Sequence, residues 1–240
     1  MQEEFINLWR ASLHWRSDDE TYVIVPHFSE LYGEHESARH TFMAILRTFL
    51  PDAAFGTLDE TWFAIANNRT NERVAALKKI EVELSKANAS VCLGSSELIA
   101  APDALQEGFE HAKFAANYAY NVAKTRSFIF DDCWFAYLVD ICRLDKCGRF
   151  LIDRRVAAMY QDDIRMQSQN TLTAQAFIEC GFRINNTAEA LFVHRNTVIY
   201  RLKSIRDRYG LDLVNPVQEP DFVCRILLSA KLLTTTKHAD

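Results

Sequence analysis

A helix-turn-helix pattern near the C-terminal end decides the fold of this chain. Residues 186–202 read NTAEALFVHRNTVIYRL, and a break at Val193-His194 separates two stretches with helical spacing. In the second stretch, apolar residues recur at spacings of 4, 3 and 4, so they share one face of a helix. These residues are Val198, Leu202, Ile205 and Tyr209. The segment therefore predicts two short helices joined by a tight turn.

The flanking residues predict where these helices begin and end. We expect the first helix over residues 186–193 and the second over residues 196–209, with Gly210 ending the second. Asn186, followed three positions later by Glu189, has the pattern of a capping box. The apolar positions of the first helix are Ala188, Leu191 and Phe192. Further helices are expected over residues 171–180, closed by Gly181, and over residues 219–233.

The second predicted helix carries a polar face suited to double-stranded DNA. A recognition helix presents its first residues to base edges and neutralises phosphates with its flanks. Arg195 and Asn196 are our candidate base readers, because an Arg can bond guanine, and an Asn adenine, through two hydrogen bonds. The other candidates are Thr197 and Tyr200 for the backbone or a thymine methyl, Arg201, Lys203, Arg206 and Arg208 for phosphates, and His194 for a structural hydrogen bond or a phosphate. The alternative is an ordinary amphipathic helix whose arginines form surface salt bridges.

Charge and composition narrow the function classes. The chain of 240 residues has a formal net charge of −5, yet residues 183–208 hold six basic and two acidic side chains. This local excess favours an anionic partner. A composition of 49% hydrophobic and 25% charged residues excludes a disordered chain. No apolar run approaches the length of a membrane span. Six cysteines without a C-x-x-C spacing indicate buried free thiols in the cytoplasm, where we expect this protein.

Residues 187–213, TAEALFVHRNTVIYRLKSIRDRYGLDL, closely resemble the C-terminal helix-turn-helix of the PucR family of bacterial transcriptional regulators, which includes the carbohydrate diacid regulators. The matching positions are Ala188, Leu191, Val193, residues 194–198, residues 200–202 and residues 210–212. Thr171, Leu172 and Phe177 fit the helix that precedes this motif in the family. The resemblance covers roughly residues 165–235 and implies DNA binding through the helix 195–209.

The first 132 residues predict a different kind of domain. Hydrophobic patterning gives the order β-α-β-β-α-β-α-β. The expected strands are residues 22–28, 53–58, 61–66, 90–94 and 127–130, and the expected helices are residues 34–50, 71–87 and 102–124. Pro26 should limit strand pairing at the far end of the first strand. The order predicts an α+β fold with a ferredoxin-like core, helices on one face of the sheet, and an added helix and strand.

This order also resembles the GGDEF-like domain found upstream in many PucR family members, a relative of the diguanylate cyclase palm. The hairpin at residues 56–63 lacks the two glycines that admit guanine nucleotide and keeps only Asp59-Glu60, which we interpret as turn residues. The strand Tyr22–Phe28 has no Asp, although two-metal chemistry needs converging carboxylates. The resemblance therefore implies a degenerate, non-catalytic domain for dimerisation or signal coupling, with no cofactor and no metal.

We expect three segments: a GGDEF-like domain over residues 1–132, a helical connector over 133–165 and a DNA-binding domain over 166–240. The predicted function is a homodimeric transcriptional regulator that reads a palindromic operator in double-stranded DNA, with residues 2–15 and the connecting helices as candidate interfaces. The alternatives are a nucleotide-binding or cyclase-like enzyme, and a signalling or dimerisation protein that does not bind DNA. The sequence leaves open the operator, the regulated genes, the direction of regulation, any sensory segment upstream and a possible small-molecule effector.

Overall fold

The computed structural model describes residues 16, 19–28, 35–58, 60–69, 72–87, 91–144, 148–215 and 220–234. Within residues 35–49, which form the first helix, side chains are described from residue 39 onward. Residues 2–15 and Asp59, which carry predictions, lie outside these ranges. The chain divides after Tyr137 into two compact units. The mixed α+β class is confirmed, since a five-stranded sheet is followed by a helical C-terminal region.

The N-terminal unit follows the predicted order of strands and helices. Its elements are β1 (Thr21–Phe28), α1 (His35–Phe49), β2 (Ala54–Leu58), β3 (Thr61–Asn67), α2 (Arg73–Lys86), β4 (Val91–Ser95), α3 (Leu105–Tyr118) and β5 (Ser127–Ile129). A 3₁₀ turn at Pro102–Ala104 precedes α3, and a π turn at Ala119–Ala123 follows it. The predicted hairpin is confirmed, because β2 and β3 pair antiparallel from Ala54 opposite Ile65 to Leu58 opposite Thr61.

The sheet has the order β2-β3-β1-β4-β5, with β1 at its centre. Strand β1 is antiparallel to both neighbours, whereas β4 and β5 run parallel. Pairing of β1 with β3 ends at Ile24, while pairing with β4 continues to Phe28. Pro26 therefore lies where β1 has a single neighbour, as expected for a residue that has no N–H to donate.

Helices cover both faces of this sheet, which corrects the expectation that they lie on one face. On one side, Tyr22 and Ile24 of β1 join a core with Phe42 of α1 and Ile80 of α2. On the other side, the alternate residues of β1, Val23 and Val25, pack with Phe109 and Ala112 of α3. The continuous apolar run of β1 is typical of a strand buried on both faces, but tertiary packing decides which helices form each layer.

The C-terminal unit contains only helices in its described residues. Helix α4 (Phe130–Leu144) spans the division between the units, and a 3₁₀ turn occupies Gly148–Leu151. The other helices are α5 (Arg154–Met166), α6 (Asn170–Glu179), α7 (Ile184–Ala190), α8 (Arg195–Tyr209) and α9 (Pro220–Thr234). Their core includes Phe177, Leu202 and Ile226, all buried. Val156 and Met159 of α5, in the segment that we assigned to a connector, also lie in this core.

Three expectations about local structure are wrong. Helix α7 begins at Ile184 with Arg183 as its N-cap, so Asn186 lies inside the helix and no capping box forms. Phe130 opens α4 instead of ending β5. Cys224, expected among the buried thiols, is exposed on α9. The first two differences concern the ends of elements, and tertiary contacts as well as local preference decide where an element begins and ends.

Candidate nucleic-acid interface

Helices α7 and α8 form the predicted helix-turn-helix, and hydrogen bonds fix the turn between them. The N–H of Phe192 donates to the carbonyl of Glu189 at 3.1 Å, and the N–H of Val193 donates to that of Ala188 at 2.9 Å. This pair of bonds is the Schellman motif, which requires a left-handed residue just after the helix. Phe192 takes that conformation, with a φ of 53°. The turn therefore has a fixed conformation that sets the direction of α8.

The start of α8 is capped by a histidine. The Nδ1 atom of the His194 side chain accepts a hydrogen bond from the Asn196 N–H at 3.2 Å. A ring nitrogen can accept only when it carries no proton, so this bond requires the tautomer protonated at Nε2. His194 thus fills the first of its two expected roles, a structural hydrogen bond. At the other end, Gly210 closes α8 in the left-handed region, as predicted.

Helix α8 separates a buried face from an exposed one. Val198, Leu202 and Ile205 are buried in the domain core, as their spacing predicts. On the opposite face, Asn196 and Lys203 are exposed, and the Tyr200 side chain is 74% exposed. Arg195 is exposed at the first position of the helix. The side chains of Arg195, Asn196 and Lys203 make no hydrogen bond or ion pair with any described residue, so these polar groups are available to a partner.

Two of the expected phosphate contacts have partners inside the domain. The Arg201 guanidinium donates to Thr173 Oγ1 at 3.2 Å and to Gln169 Oε1 at 3.1 Å. Arg206 Nε donates to Asp207 Oδ1 at 3.0 Å, in a pair whose side chains are both about half exposed. Arg201 therefore ties α8 to the start of α6, whereas Arg206 is held only at the surface.

A third arginine, Arg208, lies at the far end of α8 beside Asp162 of α5. Its guanidinium donates to Asp162 Oδ2 at 3.2 Å, and the Tyr209 hydroxyl donates to the same oxygen at 2.9 Å. Burial and this hydrogen bond raise the pKa of Tyr209 to about 12. Arg208 thus has a partner on α5, although its side chain stays 44% exposed.

Sequence reasoning missed one residue that supports the helix-turn-helix. Asp163 of α5 is buried, and its carboxylate accepts from the N–H of Asn170 at 2.9 Å and that of Thr171 at 2.7 Å. Ser168 Oγ donates to the same carboxylate. Asp163 therefore caps α6 from the preceding helix, a contact seven and eight residues away that no capping pattern at the start of α6 reveals.

Metal ligands and cavities are the features of the first unit that bear on the enzymatic alternative. Among the residues the structure describes, no three His, Cys, Asp or Glu side chains come together as a metal site. A cavity of about 210 Å³ lies between the ends of α1, β3 and α2, and Tyr22, Asn67, Arg69 and Arg73 are among its lining residues. Arg73 is already bonded to the Ser96 carbonyl and to Asp131. One cation of the cavity lining is therefore held by groups of the protein itself.

Comparison with known proteins identifies the helix-turn-helix. Residues 171–221 match the family described as the PucR C-terminal helix-turn-helix domain. This segment is a PucR-type helix-turn-helix domain. The PucR-type domain contains α7 and α8 in full, nearly all of α6 and the first two residues of α9. All the candidate DNA-binding residues named above lie inside it.

Relatives of the chain share only part of its length. An uncharacterized protein of Mycobacterium bovis and two of Mycobacterium tuberculosis are each 50% identical to it over 44 residues. These matches cover 18% of this chain and 11% of the length of each relative. A solved structure, of the regulator of polyketide synthase expression from Bifidobacterium adolescentis, aligns over 99% of this chain and 89% of that chain, at 17% identity and a TM-score of 0.42. No helix in the described ranges is both long and apolar enough to cross a membrane.

Proposed function

We propose that this protein is a transcriptional regulator whose PucR-type domain binds double-stranded DNA with α8 in the major groove. The observation that carries the proposal is the exposed face of α8, on which Arg195, Asn196 and Lys203 have no partner among the described side chains. Unpaired polar groups on a helix that follows a fixed corner match what base and phosphate recognition need. The local excess of six basic over two acidic residues in 183–208 supports the same partner.

Within this proposal, the exposed residues divide into two roles. Arg195 and Asn196 occupy the first turn of α8, the part of a recognition helix that reaches base edges, so we assign base reading to them. Thr197 and Tyr200 are assigned to the sugar-phosphate backbone or a thymine methyl. Lys203 is assigned to a phosphate. His194 keeps its capping role at the entrance of the helix.

The remaining arginines differ in how readily they reach a phosphate. The Arg206–Asp207 pair is exposed, and such pairs contribute little free energy, so Arg206 can exchange its carboxylate partner for a phosphate. Arg201 is half-buried and holds Thr173 and Gln169, so we assign it a positioning role in addition to the expected phosphate contact.

The N-terminal unit is proposed as a non-catalytic, ferredoxin-like and GGDEF-like domain that couples a signal to the DNA-binding domain. The support is topological: four strands in the order β2-β3-β1-β4, all antiparallel, formed from a β-α-β-β-α-β sequence. The absence of an Asp from β1 also supports a non-catalytic role. A small-molecule effector and the cytoplasmic location stay predictions.

The proposal is tested by selecting bound sequences from random duplexes and titrating the winner at two salt concentrations. We expect steep salt dependence and a motif with half-sites about one helical turn apart, 34–36 Å, as a two-fold dimer requires. No enrichment and no salt-dependent binding would overturn the proposal and favour a protein partner for this domain. A GTP- and Mg²⁺-dependent product from the same preparation would favour the cyclase-like alternative.

Substitutions on α8 should separate its two roles. Arg195→Ala and Asn196→Ala are each expected to weaken binding to the selected duplex by about 1–3 kcal/mol and to relax the preference for it. Lys203→Ala should weaken binding to all duplexes alike and reduce the salt slope by about 1. The measurement is affinity for selected and scrambled duplexes across a salt series. If Arg195→Ala leaves specific affinity unchanged while Lys203→Ala abolishes it, the two roles are assigned the wrong way round.

A further inference from the structure

Phe192, in the turn of the helix-turn-helix, is exposed in a way that packing does not explain. Our sequence interpretation placed it on the apolar face of the first helix, yet its side chain is 97% exposed. Leu191 beside it is half-buried, and Ala188 one turn earlier is buried. Folding of the domain therefore gains almost nothing from burying the Phe192 ring.

The backbone of Phe192 is also strained by its side chain. It is the left-handed residue of the Schellman motif that ends α7, with a φ of 53°, a position where glycine is the preferred residue because it has no Cβ. The same domain uses glycine at comparable helix ends, since Gly181 follows α6 with a φ of 64° and Gly210 closes α8 with a φ of 68°. At position 192 a bulky aromatic residue occupies a site that glycine would fill with less strain.

An exposed and strained aromatic side chain at this position suggests a binding role. Phe192 lies two residues before the cap of α8 and three before Arg195, and hydrogen bonds hold its backbone on both sides of the turn. We propose that the Phe192 ring packs against apolar surface of the DNA beside the bases that Arg195 and Asn196 read. This proposal rests on the function proposed above.

The chemistry of the contact is that of a carbon–hydrogen surface at the edge of a groove. Duplex DNA offers two such surfaces, the 5-methyl group of thymine in the major groove and the carbons of deoxyribose. A phenyl ring in contact with either loses its exposure to water without needing a hydrogen-bond partner. The fixed conformation of the turn reduces the entropy lost when the ring is immobilised on binding.

The test is Phe192→Gly in the full chain, with thermal unfolding and affinity for the selected duplex measured side by side. Because glycine relieves the strain, we expect the melting temperature to rise by about 2–4 °C. Because the ring is lost, we expect affinity for the duplex to fall about tenfold. If Phe192 serves binding, the substitution should raise the melting temperature and lower the affinity for DNA. If Phe192 is purely structural, the substitution should lower both.

Phe182→Gly is the matched control. Phe182 is a second left-handed phenylalanine, with a φ of 62°, in the preceding turn, but its ring packs edge-on against Phe177 at 5.7 Å between centroids. Its substitution should lower the melting temperature and leave the affinity of the folded protein for DNA unchanged.

The source of the Phe192 contact is resolved by replacing thymine with deoxyuridine in the selected duplex. If this replacement lowers the affinity of the native protein but not that of Phe192→Gly, the ring contacts the thymine methyl. If it lowers the affinity of neither protein, the ring contacts deoxyribose.

Two outcomes overturn the proposal and are distinguishable from failure of the proposed function. If the native protein binds the selected duplex and Phe192→Gly binds it equally well, the Phe192 contact does not exist. If Phe192→Gly lowers both the melting temperature and the affinity, Phe192 is structural. If the native protein binds no duplex at all, the function proposed above fails instead.

Discussion

At the scale of the single residue, Asp163 shows how a buried carboxylate supports the C-terminal unit. Its carboxylate lies in the interior without a cation among its hydrogen-bond partners, and the N–H groups of Asn170 and Thr171 satisfy it. These are donors that the first turn of α6 would otherwise leave unbonded. Hydrogen bonds to a charged group are stronger than neutral ones, so this contact fixes α6 relative to α5.

Asp163→Ala should destabilise the C-terminal unit by about 2–4 kcal/mol, because two buried N–H groups lose their acceptor. Urea unfolding followed by far-ultraviolet circular dichroism measures the change. Asp207→Ala is the control, since its exposed pair with Arg206 should contribute within about 0.5 kcal/mol. Equal losses for the two variants would show that Asp163 does not act as the cap of α6.

At the scale of the element, Gly94 decides how closely α3 can approach the sheet. A Cβ atom at this position of β4 would lie 1.9 Å from the Ala112 carbonyl oxygen and 2.2 Å from the Ala116 nitrogen. Both are backbone atoms of α3, so no side-chain rotation can relieve the overlap. The layer formed by α3 therefore depends on a residue without a side chain.

Gly94→Ala is expected to cost the N-terminal unit about 3 kcal/mol or more, because the helix must move away from the sheet. Thermal unfolding of the full chain, followed by a signal from the N-terminal unit, should show a lower melting temperature. Gly56→Ala is a matched control on β2, where the three atoms nearest to the added Cβ all belong to the ring of Phe63, the first at 2.7 Å. The Phe63 side chain can shift where backbone cannot, so a smaller loss, about 1 kcal/mol, is expected. A loss as large as that of Gly94→Ala would contradict the backbone explanation.

At the scale of the whole molecule, the proposed homodimer needs an interface, and helix α4 carries a suitable stripe. In the part of this helix that belongs to the second unit, Leu138 and Ile141 follow the spacing i, i+3, and their side chains are 37% and 45% exposed. Apolar residues at this spacing on an exposed face match the seam of a two-helix contact. The stripe lies in the segment expected to connect the two domains.

Ile141→Lys should convert the dimer into a monomer and weaken binding to the selected palindromic duplex, because each monomer then reads one half-site alone. Sedimentation velocity over a concentration series measures the oligomeric state. Val82→Lys, on an exposed position of α2, is the control and should leave the dimer intact. A dimer that survives Ile141→Lys would place the interface elsewhere in the chain.

The amino-acid sequence by itself determined the features that depend on neighbours a few positions apart. The spacing of Val198, Leu202 and Ile205 predicted which face of α8 is buried, and Gly181 and Gly210 predicted where two helices end. The order of strands and helices in the N-terminal unit was also predictable, because turn residues and apolar periodicity recur locally. These signals lie within one or two helical turns of each other.

Only the tertiary structure decided the features that join distant parts of the chain. The pairing of Arg201 with Gln169, the capping of α6 by Asp163 and the choice of α3 for the second face of the sheet all require contacts that no local pattern specifies. Phe192 illustrates the same limit, because an apolar residue at helical spacing is exposed once the helix ends two residues earlier. Burial depends on what packs against a residue, and that is settled only when the helices of the domain assemble.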